Sequence, residues 1–138
     1  MGHILIVEDD LELSEILEFN LTRKGFDVLV AKDGLDACRV IGREKPDLIL
    51  LDIMLPLLDG WEICRMVRSH LDPLIARTPI IMLSALSSRE DKLKGYDLGA
   101  DLYLPKPYKM KEVIISAQQL IASFVNNPDY KQSARMSE

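Results

Sequence analysis

Leu48-Ile-Leu-Leu-Asp-Ile-Met-Leu-Pro56 is the stretch on which the fold turns. Leu48 to Leu51 run without polar alternation, as expected of a strand buried on both faces. Strands of that kind belong to parallel sheets wrapped by helices. Asp52 then stands among Leu50, Leu51, Ile53 and Met54, where an unpaired carboxylate is expensive to bury. A strand that ends on a carboxylate directs attention to what ends its neighbours.

Four further short apolar runs lie along the chain: Ile4 to Val7, Asp27 to Ala31, Ile80 to Leu83 and Leu102 to Leu104. Helical stretches separate them. Leu13, Ile16, Leu17, Asn20 and Leu21 share one face, with Gly25 as the stop. A second helix is expected from Gly34 to Arg43, ending before Pro46. A third runs from Gly60 to His70, with Trp61, Cys64, Val67 and Leu71 at helical spacing. The fourth spans Ser88 to Leu98 and ends at Gly99, and the fifth spans Met110 to Val125 before Asn126-Asn127-Pro128. Five alternations of strand and right-handed crossover predict a five-stranded parallel sheet covered on both faces. Asp10 and Asp59 are placed to cap the first and third helices.

Composition agrees and excludes several classes. A chain of 138 residues makes one domain of ordinary size, here residues 1–125, with 126–138 as a polar, frayed tail. Hydrophobic residues at 48% and charged residues at 28% fit a packed core rather than disorder. The longest apolar stretch, Leu48 to Leu58, is broken by Asp52 and Pro56, so no membrane span is expected. The start lacks the pattern of a signal peptide, which points to the cytoplasm. Cys38 and Cys64 have no motif spacing and are read as reduced, at least half-buried thiols. Seventeen basic against 22 acidic residues give a net charge of −5, which argues against direct nucleic-acid binding.

Sheets of this kind hold their chemistry beyond the carboxyl ends of the strands. There the sequence sets Glu8-Asp9-Asp10, Asp52, Ser84-Ala85 and Lys106-Pro107. Carboxylates around one opening suit a hard divalent ion such as Mg2+, an ammonium offers a point charge to a phosphate oxygen, and a hydroxyl donates to another. Phosphoryl transfer onto a carboxylate needs this positioning and neutralisation and little acid–base work. His3 and His70 fall at a strand start and a helix end, away from this edge.

Leu5-Ile-Val-Glu-Asp-Asp10, Leu50-Leu-Asp-Ile-Met-Leu-Pro-Leu-Leu-Asp-Gly60, Met82-Leu-Ser-Ala85 and Gly99-Ala-Asp-Leu-Tyr-Leu-Pro-Lys-Pro-Tyr108 together resemble a two-component response regulator receiver domain, chemotaxis-regulator-like, over residues 3–125. The resemblance implies a flavodoxin-like doubly wound α/β sheet of order 2-1-3-4-5 with five helices. It implies Asp52 as phosphoacceptor from a histidine-kinase phosphohistidine or phosphotransfer protein. Glu8, Asp9, Asp52 and the backbone carbonyl of Met54 would hold Mg2+, and Ser84 and Lys106 would bind the phosphoryl group. Tyr103 matches the switch aromatic, and Lys106-Pro107 is expected to be cis. Output would pass to a partner protein or a second copy through the fourth helix, fifth strand and fifth helix. The chain would catalyse its own phosphorylation and dephosphorylation only, without being a metabolic enzyme.

Two departures bear on that face: Leu102 stands where many DNA-binding-type regulators carry a second acid, and Val113 to Val125 contains no basic residue. Two other functions are compatible with the pattern. A Mg2+-dependent aspartyl-phosphate phosphatase would need an acid near its nucleophile, whereas the residue two after Asp52 is Met54. A non-phosphorylated interaction domain of the same fold would not need the five intact site groups.

Overall fold

A computed structural model describes residues 2–125, and the expected tail at 126–138 lies outside them. Strand β1 (His3–Val7) needs no polar alternation because both its faces are covered: Ile4 to Val7 are at most 1% exposed. It pairs in parallel with β2 (Asp27–Ala31) on one side and β3 (Leu48–Asp52) on the other. Strands β4 (Ile80–Ser84) and β5 (Leu102–Pro105) extend the sheet from β3, giving the order β2-β1-β3-β4-β5.

Crossover helices occupy the two faces. α1 (Leu11–Arg23) and α6 (Met110–Val125) cover one side, where Ile4, Ile6, Leu48, Leu50, Ile81, Leu83 and Leu104 meet Leu17, Leu21, Val113 and Ala117. α2 (Gly34–Glu44), α3 (Gly60–Arg68) and α5 (Arg89–Leu98) cover the other, over Leu5, Val7, Ile49, Leu51, Ile80, Met82 and Tyr103. Adjacent residues of a strand thus serve opposite cores, as the pleat requires.

Among the described residues six helices form where five were expected. The addition is α4 (Pro73–Ala76), a single turn capped by Asp72 with Pro73 in its first turn, too short for hydrophobic periodicity to reveal. α3 stops at Arg68, so Leu71 lies beyond it and is 98% exposed rather than on its buried face. Ile16 is exposed too, because the buried line of α1 runs through Ser14, Leu17 and Leu21. The end of α3 is fastened by Arg68. Its guanidinium donates to the carbonyls of Gly99, Ala76 and Thr78 at 2.9, 3.1 and 2.7 Å and pairs with Asp101 at 2.9 Å. Asp101 also accepts from the Ile80 N–H at 2.8 Å. Cys38 is half-buried, Cys64 buried, and both are free thiols.

Candidate functional site

The register sets the site residues side by side. Val7 is level with Leu51, Asp52 with Leu83, and Ser84 with Pro105. Glu8, Asp52, Ser84 and Lys106 therefore leave the sheet at neighbouring points of its carboxyl edge. Asp10 turns the chain into α1 by accepting from the Leu13 N–H at 3.1 Å, and Asp59 does the same for α3 with Glu62 at 3.0 Å. Gly60 lets α3 begin hard against the end of β3. A Cβ there would stand 2.4 Å from the Asp52 carbonyl oxygen and 2.6 Å from the Ile53 Cα.

Glu8 and Asp52 are buried, at 3% and 7% exposure, and Asp9 is exposed beside them. One carboxylate oxygen from each of the three lies within 4.8 Å of the others. The Lys106 ammonium reaches into the cluster, 2.7 Å from Glu8 Oε1 and 3.3 Å from Asp52 Oδ2. Burial pushes the Glu8 carboxyl above its ordinary value, and neighbouring Asp52 adds to that against the opposing pull of Lys106. Burial on its own would lower the Lys106 ammonium, but Glu8 and Asp52 outweigh it and hold the group above its ordinary value. Three carboxylates and one ammonium leave an excess of negative charge. Such an all-oxygen donor set fits a hard divalent cation. The N–H of Met54 donates to Asp52 Oδ1 at 3.3 Å while its side chain stays exposed.

Ser84 is fully buried, and its Oγ accepts from the Leu86 N–H at 3.1 Å. The other side of Leu86 is held by Tyr103, whose inward-turned hydroxyl donates to the Leu86 carbonyl. Burial pushes the Tyr103 phenol up. Its backbone N–H donates to the Tyr96 hydroxyl at 3.2 Å, so α5 is tied to the outer strand. The Lys106-Pro107 peptide is cis, as expected.

All the expected site side chains thus meet at one edge, and His3 lies at the opposite one, paired with Asp27. The sequence reading missed Tyr108. Its hydroxyl is enclosed without a hydrogen-bond partner among the described residues. Burial, then the charges of Glu8 and Asp52, push its phenol well up. It also passed over Tyr96 and the Arg68–Asp101 fastening, which no local pattern marks.

The family model for the response regulator receiver domain matches residues 4–118. Among solved structures, the chain is similar to the receiver domain of the Francisella response regulator 1452, with a TM-score of 0.83, 33% identity and coverage of 89% of this chain and 98% of that one. The BeF3-activated N-terminal receiver domain of Klebsiella pneumoniae RstA gives 0.79 and 34%, over 86% and 97%. A signal receiver domain of a histidine kinase from Syntrophus aciditrophicus gives 0.84 and 30%, over 92% and 95%. Fold, strand order and family model agree, and the chain belongs to the response regulator receiver domain family.

Proposed function

We propose that the chain takes a phosphoryl group from a phosphohistidine onto Asp52. One observation carries this reading: Lys106 is bonded to both Glu8 and Asp52 at the mouth of a buried acid cluster. In the proposed reaction an Asp52 oxygen attacks phosphorus, the new O–P bond forms as the N–P bond breaks, and the donor imidazole leaves. Lys106 neutralises a phosphoryl oxygen and Ser84 donates a hydrogen bond to another. Glu8, Asp9, Asp52 and the Met54 carbonyl are the groups that would hold Mg2+. The ion would supply charge neutralisation at the phosphoryl oxygens.

The acyl phosphate would bias a two-state equilibrium and change the face formed by α5, β5 and α6. Ile115 and Ala122 are exposed on α6, which supports an apolar contact with a partner protein or a second copy; the side chain of Val125 lies outside the described ones. On this reading the chain turns over no metabolite. The free thiols of Cys38 and Cys64 support a reducing compartment, and on this reading the chain would work in the cytoplasm.

Incubation with phosphoramidate and Mg2+ tests the proposal. Stoichiometric label on the wild type that is absent from Asp52→Asn is expected, with a matching spectral change on adding beryllofluoride. Continuous phosphate release would favour a phosphatase, and no label would favour an unphosphorylated interaction domain.

A further inference from the structure

α5 is well capped: Ser88 and Asp91 form a capping box at its start, and Gly99 closes its end in the left-handed region. In its interior stands Gly95, a residue that weakens helices and is buried here. The reason is a close approach. A Cβ on Gly95 would stand 2.7 Å from Cδ2 and 3.2 Å from Cε2 of Tyr103, and 3.1 Å from the Met82 Sδ. The thioether is flexible and can give way. The ring is held by its own hydroxyl, which donates to the Leu86 carbonyl, while the Leu86 N–H donates to Ser84 Oγ. Gly95, the Tyr103 ring, the Leu86 backbone and Ser84 therefore form one line of contacts running from α5 to the carboxyl edge.

We propose that Gly95 is a positioning residue: by leaving room for the inward Tyr103 ring, it holds Ser84 Oγ, through the Leu86 backbone, where a phosphoryl oxygen would meet it. This rests on the phosphoacceptor reading above. A methyl group on Gly95 would turn the ring outward from β5, free the Leu86 carbonyl and loosen the loop between β4 and α5.

Three measurements test it. At an open helical site, alanine in place of glycine strengthens the helix. Gly95→Ala is therefore expected to lower the melting temperature when Tyr103 is present, and to raise it in the Tyr103→Ala background. Labelling by phosphoramidate with Mg2+ is expected to slow at least threefold in Gly95→Ala, and by a similar factor in Tyr103→Phe, which keeps the ring and loses the bond to Leu86. The double variant Gly95→Ala/Tyr103→Ala should label at the rate of Tyr103→Ala alone. The near-UV circular dichroism of the tyrosines should change in Gly95→Ala.

A higher melting temperature for Gly95→Ala in the wild-type background overturns the proposal. So does labelling at the wild-type rate, or an equal slowing in both backgrounds. Absence of label on the wild type would instead sink the phosphoacceptor reading, and the melting cycle would still decide whether Gly95 seats the ring.

Discussion

Asp52 is a residue held at some expense. Carboxylates about 5 Å apart repel by roughly 3 kcal/mol at an effective dielectric near 20, and Asp52 shares its pocket with both Glu8 and Asp9. Lys106 offsets part of that repulsion, so Asp52→Asn should stabilise the fold without divalent ions by about 1–2 kcal/mol. Thermal or urea melts in a chelator check this, and a less stable variant would refute a shared acid pocket. Tyr108 offers a second residue-level test. An enclosed hydroxyl without a partner costs about 1–3 kcal/mol, so Tyr108→Phe should gain about 1 kcal/mol by the same melts. A loss would mean that the hydroxyl has a partner, such as a water. At this scale the acids, the serine and the lysine were legible in the sequence, because each ends a strand that announces itself. Tyr108 was not legible, since burial of its hydroxyl follows from packing that no local pattern encodes.

Among the connecting elements, the loop between β3 and α3 holds one residue against its preference. Leu57 adopts φ 71°, a left-handed conformation that suits glycine, and its side chain is 74% exposed. Left-handed backbone costs a residue with a Cβ roughly 1–2 kcal/mol, and the greater freedom of glycine in the unfolded chain returns about 0.5–1 of that. Leu57→Gly should therefore stabilise the protein by about 0.5–1 kcal/mol, read as a shift in the urea midpoint at constant slope. A drop in the midpoint would mean that the side chain contributes packing. The five long helices and five strands were legible to within about two residues, because hydrophobic period and capping residues agree along them. α4 escaped because a four-residue turn shows no period. The end of α3 was overrun because Leu71 continues the apolar spacing past the point where the backbone turns away.

For the molecule as a whole, pH reports the strain in the site. Glu8 sits above its ordinary value of 4.5, and Asp101 above 3.8, chiefly through burial. The folded state then binds more protons than the unfolded one from those values upward. Stability contributed by these groups is present at the acid end of that window and is lost as pH rises through their folded values. Urea melts between pH 5 and 7 should show stability falling with pH, and the slope should flatten in Asp52→Asn, where Glu8 keeps Lys106 and loses a like-charged neighbour. An unchanged slope would remove Glu8 as its source. The parallel sheet was legible because uninterrupted apolar strands alternate with crossover helices, whereas the strand order came only with the resemblance to receiver domains. The contact between Gly95 and Tyr103 was not, since it joins residues on separate elements through a ring position that spacing does not fix.

The pleat carries a consequence for how such a molecule can diversify. Glu8, Asp52 and Lys106 continue the alternation of Ile4 and Ile6, Leu48 and Leu50, and Leu102 and Leu104, which pack toward α1 and α6. Ser84 continues that of Ile80 and Met82, and with Tyr103, level with Met82 on β5, it belongs to the side of α2, α3 and α5. The charged groups thus lie on one side of the sheet and Ser84 and Tyr103 on the other, joined at the rim through the Leu86 backbone. On the proposed reading, a substitution among the charged groups would leave the Ser84–Leu86–Tyr103 contacts of the other side in place.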